Sequence, residues 1–151
     1  MVYGSGTILD VNPAAFSDEH LSLEALGHQV LVCPGPGASR RCPLVEDGSC
    51  AIVDATDGVV FRLDLDDAYH REMLRCYRQE LGEVGPLHVV VRPGQDRLHA
   101  ALLDGLSVSV GDLGNLGAIS SQVSMASAAR HALTELADTG QRSTRRAAES
   151  I

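Results

Sequence analysis

Five short apolar runs, each closed by a turn signal, recur about every 20 to 30 residues along the chain, and the stretches between them carry helical spacing. They occupy residues 6–11 (GTILDV), 28–33 (HQVLVC), 58–63 (GVVFRL), 87–91 (LHVVV) and 106–110 (LSVSV). Four of them are rich in Val, Ile or Leu without clean polar alternation, as strands covered on both faces require. Strand-like runs alternating with helical segments predict a parallel sheet with helices packed on its two faces. The α/β class follows from that order alone.

Between the first two runs, Pro13 suits the start of a helix, with Leu21, Leu23 and Leu26 near its end and Gly27 as its stop. After the third run, Asp66 or Asp67 can cap a helix that carries Met73, Leu74, Cys76, Tyr77 and Leu81 and ends before Gly82. A shorter helix is predicted over residues 95–103, with Leu98, Ala101 and Leu102 on its apolar face and Asp104-Gly105 turning the chain. The last helix is predicted over residues 119–137, with Ile119, Val123, Ala126, His131, Leu133 and Leu136 facing the sheet or a partner. Residues 139–151 read as a polar flexible tail, which leaves residues 1–138 as one α/β domain. Residues 34–49 (PGPGASRRCPLVEDGS) break the pattern, since three prolines and three glycines make them mostly loop. A helical turn near residues 50–55 then leads back to the sheet.

Composition removes whole classes of function. All 12 basic residues are arginine, so Schiff-base chemistry and a P-loop lysine are excluded. Against 20 acidic residues the net charge is −8. Residues 141–151 contribute +2, leaving −10 on the remainder, a body that repels a phosphate backbone. With aromatic residues at 3% and no tryptophan, base-stacking surfaces are not expected either. No apolar run approaches the ~20 residues of a membrane helix, and residues 1–10 lack a basic segment followed by a hydrophobic one. A cytoplasmic protein without a membrane or nucleic-acid partner is the expectation. Arginine in place of lysine, with abundant Ala and Gly, suggests a GC-rich bacterial source.

The five strands, the alternating helices and the stretch LEALGHQVLV at residues 23–32 together resemble the receiver domain of bacterial response regulators, over about residues 6–138. That resemblance implies a doubly wound sheet in the flavodoxin-like order 2-1-3-4-5. Receivers phosphorylate an Asp at the end of the third strand, aided by an acidic pair after the first, a Ser or Thr after the fourth and a Lys after the fifth. Here Asp10 is followed by Val11 and Asn12, so the pair that would hold Mg²⁺ lacks one carboxylate. Arg62 or Leu63 falls in the acceptor slot, and only a shift of register brings Asp64 there. Arg92-Pro93-Gly94 stands where the hydroxyl residue belongs, and the lysine is missing. Phosphoryl transfer depends on charge neutralisation that these positions do not supply. The resemblance therefore implies a pseudo-receiver, a non-catalytic regulatory or protein-interaction domain with no cofactor.

Two groups of residues remain as site candidates. Asp10, Asp64, Asp66, Asp67 and Arg92 gather at the predicted carboxyl edge of the sheet, where they can hold a divalent cation or a small anion. Helix capping and mutual ion pairing account for the same residues without a ligand. Cys33, Cys42 and Cys50, spaced C-x8-C-x7-C on one loop, can be inert reduced thiols, a redox pair, or part of a zinc or iron–sulfur site in a cysteine-based sensor. Gly35 and Gly37 lack the lysine of a phosphate loop. The six histidines show no metal-ligand spacing, and no G-x-S-x-G elbow is present. Small residues crowd the last helix (Ser120, Ser121, Ser124, Ala126, Ser127, Ala128, Ala129), so close approach of a second helix is possible. A protein partner or a homodimer through that helix is the expectation, and the same small residues also suit packing on the parent sheet.

Overall fold

The computed structural model describes residues 6–13, 18–37, 40–81, 87–114 and 116–149, with residues 18 and 141–149 described by their backbone alone. The strands are β1 (Thr7–Val11), β2 (Gln29–Cys33), β3 (Gly58–Phe61), β4 (Leu87–Val91) and β5 (Ser107–Val110). All four pairings are parallel and the spatial order is β2-β1-β3-β4-β5, the doubly wound flavodoxin-like arrangement. Each predicted run contains its strand.

Successive side chains on a strand point to opposite faces, and the core divides accordingly. Leu9, Val59, Phe61, Val89 and Val91 face one layer, with Met73, Leu74 and Tyr77 of α4 (Ala68–Leu81) packed on them. Ile8, Val60 and Val90 face the other, against Leu23 of α1 (Asp18–Ala25) and Ile119 and Val123 of α7 (Leu116–Glu149). Gly6 permits the close approach of α7, because a Cβ there would lie 2.5 Å from Val123 Cγ1.

Helix ends follow local chemistry. Asp67 is the residue that caps α4, its Oδ1 accepting the backbone N–H groups of Tyr69 (2.8 Å) and His70 (3.3 Å). Gly27, at φ +95°, closes α1 in the left-handed conformation that side chains with a Cβ resist. Pro13 lies outside α1, and residues 14–17 and 82–86, including the expected stop at Gly82, fall outside the described residues.

Residues 34–49 are mostly loop as expected, and two other expectations need correction. The segment over residues 34–49 contains a one-turn helix, α2 (Pro43–Glu46), started by Pro43 at a position where proline's missing N–H costs nothing. The next turn, α3 (Ala51–Asp54), falls within the helical turn read at residues 50–55. The helix predicted over residues 95–103 is two single turns, α5 (Gln95–Leu98) and α6 (Ala100–Leu103). They are divided at His99, which leaves helical geometry at φ −111°, ψ +30° and sets its Nε2 3.2 Å from Asp66 Oδ1. Finally, α7 begins at Leu116 and continues to Glu149, through the segment read as a flexible tail. Its Ala, Gln, Arg and Glu residues favour helix, and this outweighs the ~1 kcal/mol penalty at Gly140. From Ala128 to Gly140 every residue is exposed, although Arg130 still pairs with Asp57, and α7 runs on past the body beyond that contact. Among the described residues, no helix is long and apolar enough to cross a membrane.

Candidate functional site

Asp10 shares the α1/α7 face of the sheet with Ile8, two positions before it on β1, and is buried. Arg62 follows β3 directly, and its backbone N–H continues the ladder to Val11 O at 2.9 Å. The two side chains meet there: Arg62 Nε donates to Asp10 Oδ1 at 2.9 Å, with side-chain exposures of 10% and 2%. Arg62 Nη1 donates to Glu19 Oε2 on α1, and Glu19 Oε1 accepts the backbone N–H of Leu113 at 2.8 Å. One guanidinium thus joins β1, β3 and α1, and Glu19 extends the chain of bonds to the loop before α7. Arg62 Nη2 is buried and has no hydrogen-bond partner among the described residues. Below it, burial first and the Arg62 charge second push the His88 imidazole toward its neutral form; His88 Nε2 lies 2.8 Å from Ser109 Oγ.

The other edge candidates form a separate network. Asp64 pairs with Arg92, accepts Gln95 Nε2 at 2.7 Å, and accepts the Asp66 backbone N–H at 3.0 Å. Its carboxyl is held below the usual range, chiefly by the Asp66 N–H and then by Gln95 and Arg92. The side-chain Oε1 of Gln95 accepts the Arg92 backbone N–H at 3.1 Å, which clamps α5 onto the end of β4. Asp66 faces His99, and Asp67 is committed to the α4 cap. The five candidates are therefore divided among two ion-pair networks and a helix cap.

No protein-family model matches the sequence, and no curated protein matches it. Among solved structures, it is similar to the chemotaxis protein CheY4 of Vibrio cholerae. The identity is 11%, the match covers 85% of this chain and 98% of that one, and the TM-score is 0.46.

The cysteines converge. Cys33 ends β2, Cys42 precedes α2 and Cys50 precedes α3, and all three line one cavity of about 180 Å³ with Met73 and Tyr77. All four cysteines are free thiols. Burial raises the Cys42 and Cys76 pKa values, which favours their protonated forms. The Cys42 backbone N–H donates to Tyr69 Oη at 3.1 Å, and Tyr69 in turn donates to Glu46. Among the described residues, no group of three or more His, Cys, Asp or Glu is arranged to hold a metal ion, Cys33, Cys42 and Cys50 included.

Three long-range contacts were not legible in the sequence. Asp10 is one of the edge candidates and Arg62 or Leu63 falls in the acceptor slot, yet nothing local announces the pairing of Asp10 with Arg62 across 52 positions. Buried Asp57 accepts the Thr7 N–H at 2.8 Å and forms a two-point ion pair with Arg130 of α7, Nε to Oδ1 at 3.2 Å and Nη2 to Oδ2 at 3.3 Å. His28 accepts the Gly6 N–H on Nδ1 (3.2 Å), which leaves its Nε2–H to donate to Ser120 Oγ of α7 at 2.6 Å. The one available signal was the type of residue: ionisable groups at the ends of apolar strands.

Proposed function

We propose that the chain is a receiver-like regulatory domain that does not transfer phosphoryl groups and acts through protein–protein contact. The observation that supports this reading is the Arg62 guanidinium seated against Asp10 at the carboxyl edge of the sheet. A phosphoryl-accepting crevice gathers carboxylates around a divalent cation and places a further cation beside the transferred group. Here a fixed guanidinium already neutralises the β1 carboxylate, and the chain has no lysine. The Asp64 carboxylate is engaged by Arg92 and Gln95. Beryllofluoride with Mg²⁺ is expected to leave the amide NMR spectrum and the oligomeric state unchanged, and acetyl phosphate to leave the intact mass unchanged. A stoichiometric adduct on Asp64 overturns the reading.

The contact surface in this reading is α7, and its occupant is a second copy of the chain. Ala129, Leu133, Leu136 and Gly140 recur at helical spacing on an exposed stretch, a pattern suited to helix pairing. Light scattering at micromolar concentration is expected to give a dimer, and Leu136→Glu a folded monomer with an unchanged circular dichroism spectrum. A monomeric wild type removes this part of the reading.

A further inference from the structure

The thiol-lined cavity lies beyond the carboxyl end of β2, away from the Asp10–Arg62 network. Its volume of about 180 Å³ resembles that of engineered apolar cavities of ~150 Å³ that take up benzene, so a six-membered ring or a short branched chain fits. The wall is built from Cys33, Cys42, Cys50, Met73 and Tyr77, side chains that offer contact surface and weak hydrogen bonding. Cys42 is buried and its thiol is held protonated, so it places no negative charge in the wall.

A second, more polar cavity of about 270 Å³ adjoins the first, and Pro36, Arg40 and Arg41 line both. Two arginines therefore stand at the junction. Arg41 is engaged, with Nη1 3.0 Å from Glu46 Oε1 and its guanidinium 5.7 Å from the centre of the Tyr69 ring. Arg40 has no ion pair among the described residues. The backbone bonds that join Gly37 and Arg40, at 2.9 and 3.3 Å, fix where its side chain begins. The one carboxylate in the polar wall, Asp67, already accepts two N–H groups of α4. An apolar chamber beside an uncommitted guanidinium suits a molecule with an oily body and an anionic head.

We propose that this cleft binds a small amphipathic carboxylate, with its aromatic or branched aliphatic body among Cys33, Cys42, Cys50, Met73 and Tyr77 and its carboxylate on Arg40. The proposal does not depend on the receiver-like reading, because none of these residues belongs to that network.

Benzoate is the probe and the thiols are the reporters. With benzoate at about 10 mM, tenfold above a Kd of ~1 mM, alkylation of Cys33 and Cys50 by iodoacetamide, followed by peptide mass spectrometry, is expected to slow severalfold. Cys76, outside the cavity lining, keeps its rate. Benzyl alcohol, with the same ring and no charge, is expected to need about tenfold more for equal protection. Arg40→Ala, an exposed position that leaves the fold intact, is expected to abolish that difference. Absence of protection by benzoate, equal slowing at all four cysteines, or an Arg40→Ala variant that still distinguishes the two compounds overturns the proposal.

Discussion

Arg62→Met is expected to lower the free energy of unfolding by about 3–5 kcal/mol at neutral pH, because it strands a buried carboxylate. Asp10 is 2% exposed at its side chain and has Arg62 as its ion-pair partner. Glu19 loses the same guanidinium but keeps the Leu113 N–H, so most of the penalty falls on Asp10. Charge burial makes a specific further demand: the double variant Asp10→Asn, Arg62→Met removes both ions and is expected to recover more than half of the loss. Urea denaturation of the wild type, the single variant and the double variant measures both steps. A loss below about 1 kcal/mol for Arg62→Met is the value of a surface pair, and would show that water reaches the crevice.

The second large effect lies on the opposite face of the sheet. Phe61 is fully buried on the central strand β3, and its ring meets Tyr77 of α4 edge-on, with centroids 5.8 Å apart and planes at 70°. Phe61→Ala is expected to cost about 3–5 kcal/mol through lost transfer energy and the cavity left behind. That corresponds to a fall of roughly 10 °C in melting temperature for a domain of this size. Tyr77→Leu, combined with Phe61→Ala in a double-mutant cycle, isolates the ring–ring contact, expected at about 0.5–1.5 kcal/mol. Leu98→Ala, at a position 71% exposed, serves as the control and is expected to stay within about 0.5 kcal/mol of wild type. An equal loss at Leu98 would indicate that Leu98 is covered in solution.

Strand position was legible because strands buried on both faces must be apolar throughout, and the turns that separate them are written in Gly, Pro and Asp. The spatial order of the strands came only from the resemblance to receiver domains. The α4 cap was readable to within one residue, since Asp66 and Asp67 both stand just before an apolar helical pattern and Asp67 is the one that caps it. What escaped was decided by neighbours distant in sequence. The division between α5 and α6 comes at His99, which meets Asp66 across 33 positions. The polar composition after Ala137 resembles a loop, although its Ala, Gln, Arg and Glu residues favour helix. For the site, the convergence of Cys33, Cys42 and Cys50 was suggested by their place on one loop, whereas Tyr77 joined them only through the packing of α4. The Asp10–Arg62 pair was the least visible, because pairing across a sheet depends on which strands become neighbours.

Ser120 and Arg130 hold α7 to the body through His28 and Asp57, at points ten residues apart and thus about 15 Å along the axis. One attachment would let a cylinder roll or pivot; two at that separation set both its azimuth and its pitch. The direction in which Leu133 and Leu136 point is accordingly dictated from within the α/β layers. Whatever settles on that outer stretch meets it from a single bearing.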